Sequence, residues 1–133
     1  MALNYFGYEL ADRGVKLDEA RAMIQKAVDA DPQNGAYLDS LGWVYFKLGQ
    51  YALAEQYLLK AVQRLKTDPT VHDHLGSIYE KEGKLGLAVA QWERSLAESQ
   101  NSLSPDVDPD DVARVQKSLG LAKVKLAKST AMH

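Results

Sequence analysis

Apolar residues recur along most of this chain at spacings of three and four, the spacing that lines one face of an α-helix. Leu38, Leu41, Gly42, Tyr45 and Leu48 make one such stripe. Leu53, Ala54, Tyr57, Leu58, Ala61, Val62 and Leu65 make the next. Gly49 lies between them, where a helix end commonly needs a residue that tolerates positive φ. The pattern predicts helices over 36–47 and 51–65, folded back on each other as a hairpin.

The hairpin repeats. Thirty-four residues on, Leu41-Gly42 becomes Leu75-Gly76, Tyr45 becomes Tyr79, Gly49 becomes Gly83, Ala54 becomes Ala88 and Leu58 becomes Trp92. Going backwards, Ala20, Ile24, Ala27 and Val28 precede Ala54, Leu58, Ala61 and Val62 by the same interval. Phe6-Gly7, Leu10 and Gly14 lie 35 residues before their equivalents, so the first hairpin carries one extra turn residue within 14–17. A period of this length implies stacked helical hairpins, none of which buries both its faces alone. Gly7 with Ala20, Gly42 with Ala54 and Gly76 with Ala88 are small-residue pairs that let two helices approach closely.

Further helices are predicted over 2–13, 17–30, 70–82 and 85–99. Pro69 suits a first helical turn. The repeats divide the chain at 1–34, 35–68 and 69–100, followed by a loop over 101–108. A last helix over 109–128 carries Val112, Val115, Leu119, Ala122 and Leu126 on one face and its lysines elsewhere, as a solvating cap requires. Residues 129–133 are left as a disordered tail.

The run L-G-x-x-Y, then Gly, Ala, an apolar or aromatic residue, Ala and Pro, resembles the tetratricopeptide repeat. The resemblance covers roughly residues 3–99 in three units. It is weakest in the first, with its longer turn and Leu10 where the family often has an aromatic. It implies an all-α, right-handed superhelical solenoid of three antiparallel helix pairs plus a C-terminal capping helix. Similarity to repeat arrays of larger bacterial proteins, and a first helix that opens at once on Leu3, Tyr5 and Phe6, imply a piece of a longer chain.

Composition changes this picture by exclusion. A net charge of −2 with no basic helical face argues against nucleic acid. No run is apolar enough for a membrane helix. The absence of cysteine removes disulfide and thiolate chemistry. It does not separate cytoplasm from periplasm.

No catalytic constellation or cofactor motif is present. His72 and His74 stand two apart on one helix and diverge, unlike an i,i+4 zinc pair. His72 takes the slot of Leu38 and reads as a packed residue. Asp106, Asp108, Asp110 and Asp111 fail as a calcium loop, whose sixth and twelfth positions would fall on Asp111 and Lys117 rather than Gly and Glu. Asp108 suits an N-cap instead, with Pro109 first in the helix.

In tetratricopeptide arrays the first helix of each pair lines a concave groove, and the resemblance makes its off-stripe residues the candidate contacts. They are Asn4, Tyr5, Tyr8 and Asp12; Asp39, Ser40, Trp43, Phe46 and Lys47; and Asp73, His74, Ser77, Glu80 and Lys81. Trp43 and Phe46 either serve as contact aromatics or pack against neighbouring first helices. The basic clamp with which some members hold an acidic tail is absent, its places being taken by Asn4, Tyr8, Ser40, Thr70 and His74. The expected partner is another protein or peptide, neutral or basic, with an apolar anchor. The expected role is a non-catalytic scaffold. Self-association through the chain ends (Met1–Tyr8, or Leu121 and Val124), giving a homo-oligomer, and service as an accessory segment of a larger enzyme are the alternatives.

Overall fold

A computed structural model describes residues 2–101 and 107–131. The described residues form seven α-helices: α1 (Ala2–Arg13), α2 (Leu17–Ala30), α3 (Gly35–Lys47), α4 (Tyr51–Arg64), α5 (Pro69–Lys81), α6 (Leu85–Asn101) and α7 (Pro109–Ala131). Among the described residues there is no strand. The chain divides into two compact units, Met1–Lys66 and Thr67–His133. The first holds α1 to α4, the second α5 to α7.

Each hairpin turns in the same way. The backbone N–H of Gln50 donates to Tyr45 O at 2.9 Å, and that of Lys84 to Tyr79 O at 2.8 Å. These are six-to-one bonds that close a helix end, and they require left-handed backbone at Gly49 (φ 80°) and Gly83 (φ 78°). In the first hairpin Val15 makes the equivalent bond to Leu10 O at 3.1 Å. The extra residue is then taken up by Lys16, itself left-handed at φ 50°. Asn34 caps α3 by accepting from Tyr37 N, and Asp68 caps α5 by accepting from Thr70 N and Val71 N.

The paired small residues lie where the helices of a hairpin touch. A Cβ on Gly42 would collide with Leu58 Cδ2 and stand 3.1 Å from the Ala54 carbonyl oxygen. A Cβ on Gly7 would lie 2.5 Å from Ile24 Cγ1 and 3.1 Å from the Ala20 carbonyl oxygen. Leu58 can rotate away from an added methyl group, but the Ala54 oxygen moves only with its helix. Gly42→Val is therefore expected to destabilise by about 1–3 kcal/mol. A urea midpoint equal to that of the wild type would refute the close approach.

Two positions depart from the predicted stripes. Leu53 is exposed, because it precedes Ala54 at the edge of the buried arc of α4. Phe6 is 61% exposed although its repeat equivalents Leu41 and Leu75 are fully buried. The difference is one of neighbours: α3 packs on α1, α2 and α4, whereas α1 packs on α2 and α3.

In the second unit α6 packs on both α5 and α7. Val115, Leu119 and Ala122 are buried, with Val112 and Leu126 half-buried. The helix runs through Gly120 to Ala131. Ser129 and Thr130 are thus helical, not part of a disordered tail, and the Thr130 hydroxyl donates to Leu126 O at 3.0 Å. Of the 101–108 loop, residues 102–106 lie outside the described residues, as do 132–133 of the tail. Asp108 caps α7 by accepting from Asp110 N at 2.9 Å.

Candidate functional site

In the first unit some of the predicted contacts, on α1 and around Trp43, meet where α1 and α3 pack on each other. Asn4, Tyr8 and Asp12 stand four residues apart and so share one face of α1. That face is turned toward α3, because Trp43 Nε1 donates to Asp12 Oδ1 at 3.2 Å. The Trp43 ring stacks on Phe46 with centroids 4.6 Å apart and planes 11° apart. Phe46 in turn tilts against Tyr51 at 5.6 Å. The Lys47 ammonium sits 5.1 Å from the Trp43 centroid, within cation–π range. A ladder of three aromatics therefore runs from the α1 boundary to the start of α4, with one cation and one carboxylate on it.

The residues differ in what they can offer a ligand. Trp43 is only 8% exposed, so packing takes most of its surface and Phe46 and Lys47, both half-buried, present more. Asp39 and Ser40 are buried, and the Ser40 hydroxyl is spent on Ala36 O at 3.0 Å. Tyr5 is well exposed and lies off the Asn4–Asp12 face. Asn4 Oδ1 is buried and accepts no hydrogen bond, a cost that a native structure ordinarily avoids.

In the second unit the predicted acid proves structural. Asp73 is 6% exposed and accepts from Trp92 Nε1 at 3.0 Å. It is also gripped by both terminal nitrogens of Arg114, with Nη1 at 3.4 Å from Oδ1 and Nη2 on Oδ2. Arg114 lies 3.6 Å from Asp111 as well. The hydrogen bond to Asp73 drives the Arg114 guanidinium further above its ordinary value, and partial burial opposes it. Asp73 thus fastens α7 to α5, and its charge is compensated on the spot. His74 is buried, Ser77 and Glu80 are half-buried, and Lys81 is exposed. His72 is buried too, its Nδ1 2.8 Å from Gln91 Oε1.

Sequence reasoning missed Trp92 and Arg114 as partners of Asp73. A signal existed for the first: an indole in the slot of fully buried Leu58 needs an acceptor for its N–H. Among the described residues no group of three His, Asp or Glu side chains could hold a metal ion. No helix among them is long and apolar enough to cross a membrane.

The tetratricopeptide repeat family matches residues 8–69. The matched stretch is built of tetratricopeptide repeats. Over 76 residues, 57% of its length, it is 49% identical to a TPR repeat-containing protein of Pseudomonas aeruginosa. It spans 13% of that relative's length. Two solved structures extend the likeness to nearly all of the chain. The type III secretion translocator chaperone SycD of Yersinia enterocolitica has a TM-score of 0.80 at 19% identity, over 95% of this chain and 84% of that one. PcrH, solved in complex with the chaperone binding region of PopD, has a TM-score of 0.79 at 20% identity, over 93% and 90%. At such identities the likeness shows the fold, all-α tetratricopeptide.

Proposed function

We propose that this tetratricopeptide chain is a non-catalytic protein-interaction module whose α1–α3 face holds a short partner segment. The observation that carries this reading is the half-buried Phe46 stacked on Trp43 with Lys47 over the indole, beside the Asp12–Trp43 bond. Phe46 beside Lys47 supplies an amphipathic contact surface of the sort hot spots use. The PcrH complex supports the idea by analogy, since there a similar fold takes a segment of another protein. With the exposed Asp12 on this face, the favoured segment is neutral or basic with one apolar anchor.

Selection from a random peptide display library tests this without presupposing the partner. Enriched peptides should carry an aromatic or aliphatic anchor, and Phe46→Ala should weaken them at least about tenfold, a loss of roughly 1.4 kcal/mol. Phe46 is the site to change because Trp43 and Asp39 are buried and their replacement would perturb the fold. Peptides that bind Phe46→Ala as tightly as the wild type would overturn the assignment. A second reading, self-association, draws on the exposed Tyr5, Phe6, Leu121 and Val124. Light scattering over a concentration series decides it: a mass that stays monomeric removes it.

A further inference from the structure

A different part of the first unit carries a cleft of about 480 Å³. Its walls come from the end of α2, the connector to α3, the start of α3 and the outer face of α4. That volume is in the range of small-ligand sites. The floor is apolar, formed by Val28, Pro32 and Leu38, and the rim is cationic, formed by Lys60 and Arg64.

Charge is the deciding feature. The chain holds 18 acidic against 16 basic residues, yet no carboxylate lines this cleft while two cations do. The acids of the adjoining segment are turned to local partners, Asp29 accepting from Gln25 and Asp31 from Asn34. The cations are also positioned. Arg64 Nη2 donates to Gln33 Oε1 on the α2–α3 connector. That bond leaves the Gln33 amide N–H groups as donors. Tyr57 is fixed by stacking on Tyr45, with centroids 5.6 Å apart and planes 11° apart. Lys60 Nζ then rests 5.4 Å from the Tyr57 centroid. With Gln63 also on the wall, the inventory is rich in donors and poor in charged acceptors.

We infer that this cleft binds an acidic peptide segment, with an aliphatic side chain on the Val28–Pro32–Leu38 floor and its neighbouring carboxylates on Lys60 and Arg64. The inference does not depend on the α1–α3 face, whose favoured ligand has the opposite charge. It gives one unit two faces of contrasting preference.

The test is an amide NMR titration of the whole chain with acetyl-Leu-Glu-Glu-amide, beside acetyl-Leu-Gln-Gln-amide and sodium acetate. The acidic peptide should shift the amides of Gln33, Tyr57, Lys60, Gln63 and Arg64, and the two controls should not. Lys60→Gln with Arg64→Gln should weaken that response about tenfold, and raising salt from about 50 to 500 mM should do likewise. Both side chains are exposed, so the variant is expected to keep the wild-type spectrum elsewhere. An equal response to the glutamine peptide overturns the proposal, and so does an equal response to acetate, which reduces the cleft to an anion patch. Shifts confined to Phe46 and Lys47 overturn it too, by moving the acidic segment to the α1–α3 face.

Discussion

Trp92→Ala is expected to cost about 3–5 kcal/mol, the range for emptying a buried aromatic site. Trp92 is 1% exposed and is the largest fully buried side chain. Its ring fills the space that Gly76 leaves open, with Nε1 2.5 Å and Cδ1 2.7 Å from where a Gly76 Cβ would stand. Its N–H is also one of the bonds that orient Asp73 toward α7. Trp92→Phe separates the two roles, since phenylalanine keeps most of the volume and removes the donor. That variant should cost about 1.5–3 kcal/mol, the worth of a hydrogen bond to a charged group. Urea unfolding followed by far-ultraviolet circular dichroism measures both. A loss below about 1 kcal/mol for Trp92→Ala would mean that the second unit does not rest on this side chain.

The sequence carried the helices because their causes are local. The left-handed Gly49 and Gly83 let Gln50 and Lys84 reach back five residues to close their hairpins, and Asn34, Asp68 and Asp108 cap helices through neighbours two or three positions away. Close approach was legible too, since Gly42 and Ala54 repeat as a pair at Gly76 and Ala88. Lys16 was the least legible element of these turns. An added residue could be inferred from the 35-residue interval, but not which residue would adopt the left-handed backbone.

The candidate site was legible only as a set of positions. Whether Trp43 faces a ligand or the protein depends on Asp12, 31 residues away, and the state of Asp73 depends on Arg114, 41 residues away. Periodicity does not encode such pairings. Asp73 therefore read as an open acid when its charge is in fact matched by a guanidinium. The consequence reaches function: in the second unit that carboxylate fastens a helix, and the acidity of the predicted contact set is weaker than a count of its aspartates implies.

Leu41→Ala should cost about 2–5 kcal/mol, whereas Phe6→Ala should stay within about 0.5 kcal/mol of the wild type. The two residues share one repeat register, so a propensity or motif argument would rank them alike. Burial separates them. Leu41 is fully buried in a helix with three packed neighbours, and its truncation leaves a cavity lined by α-helical side chains that cannot all collapse inward. Phe6 gives up mostly surface that water already covers. Trp43 fluorescence in a Trp92→Phe background reports on the first unit alone, each variant being compared with that background. Equal shifts in the urea midpoint would show that Phe6 is covered in solution, by another copy of the chain or by its own rearrangement. Repeating the melt at ten times the protein concentration would then tell the two apart, because only an intermolecular cover strengthens with concentration.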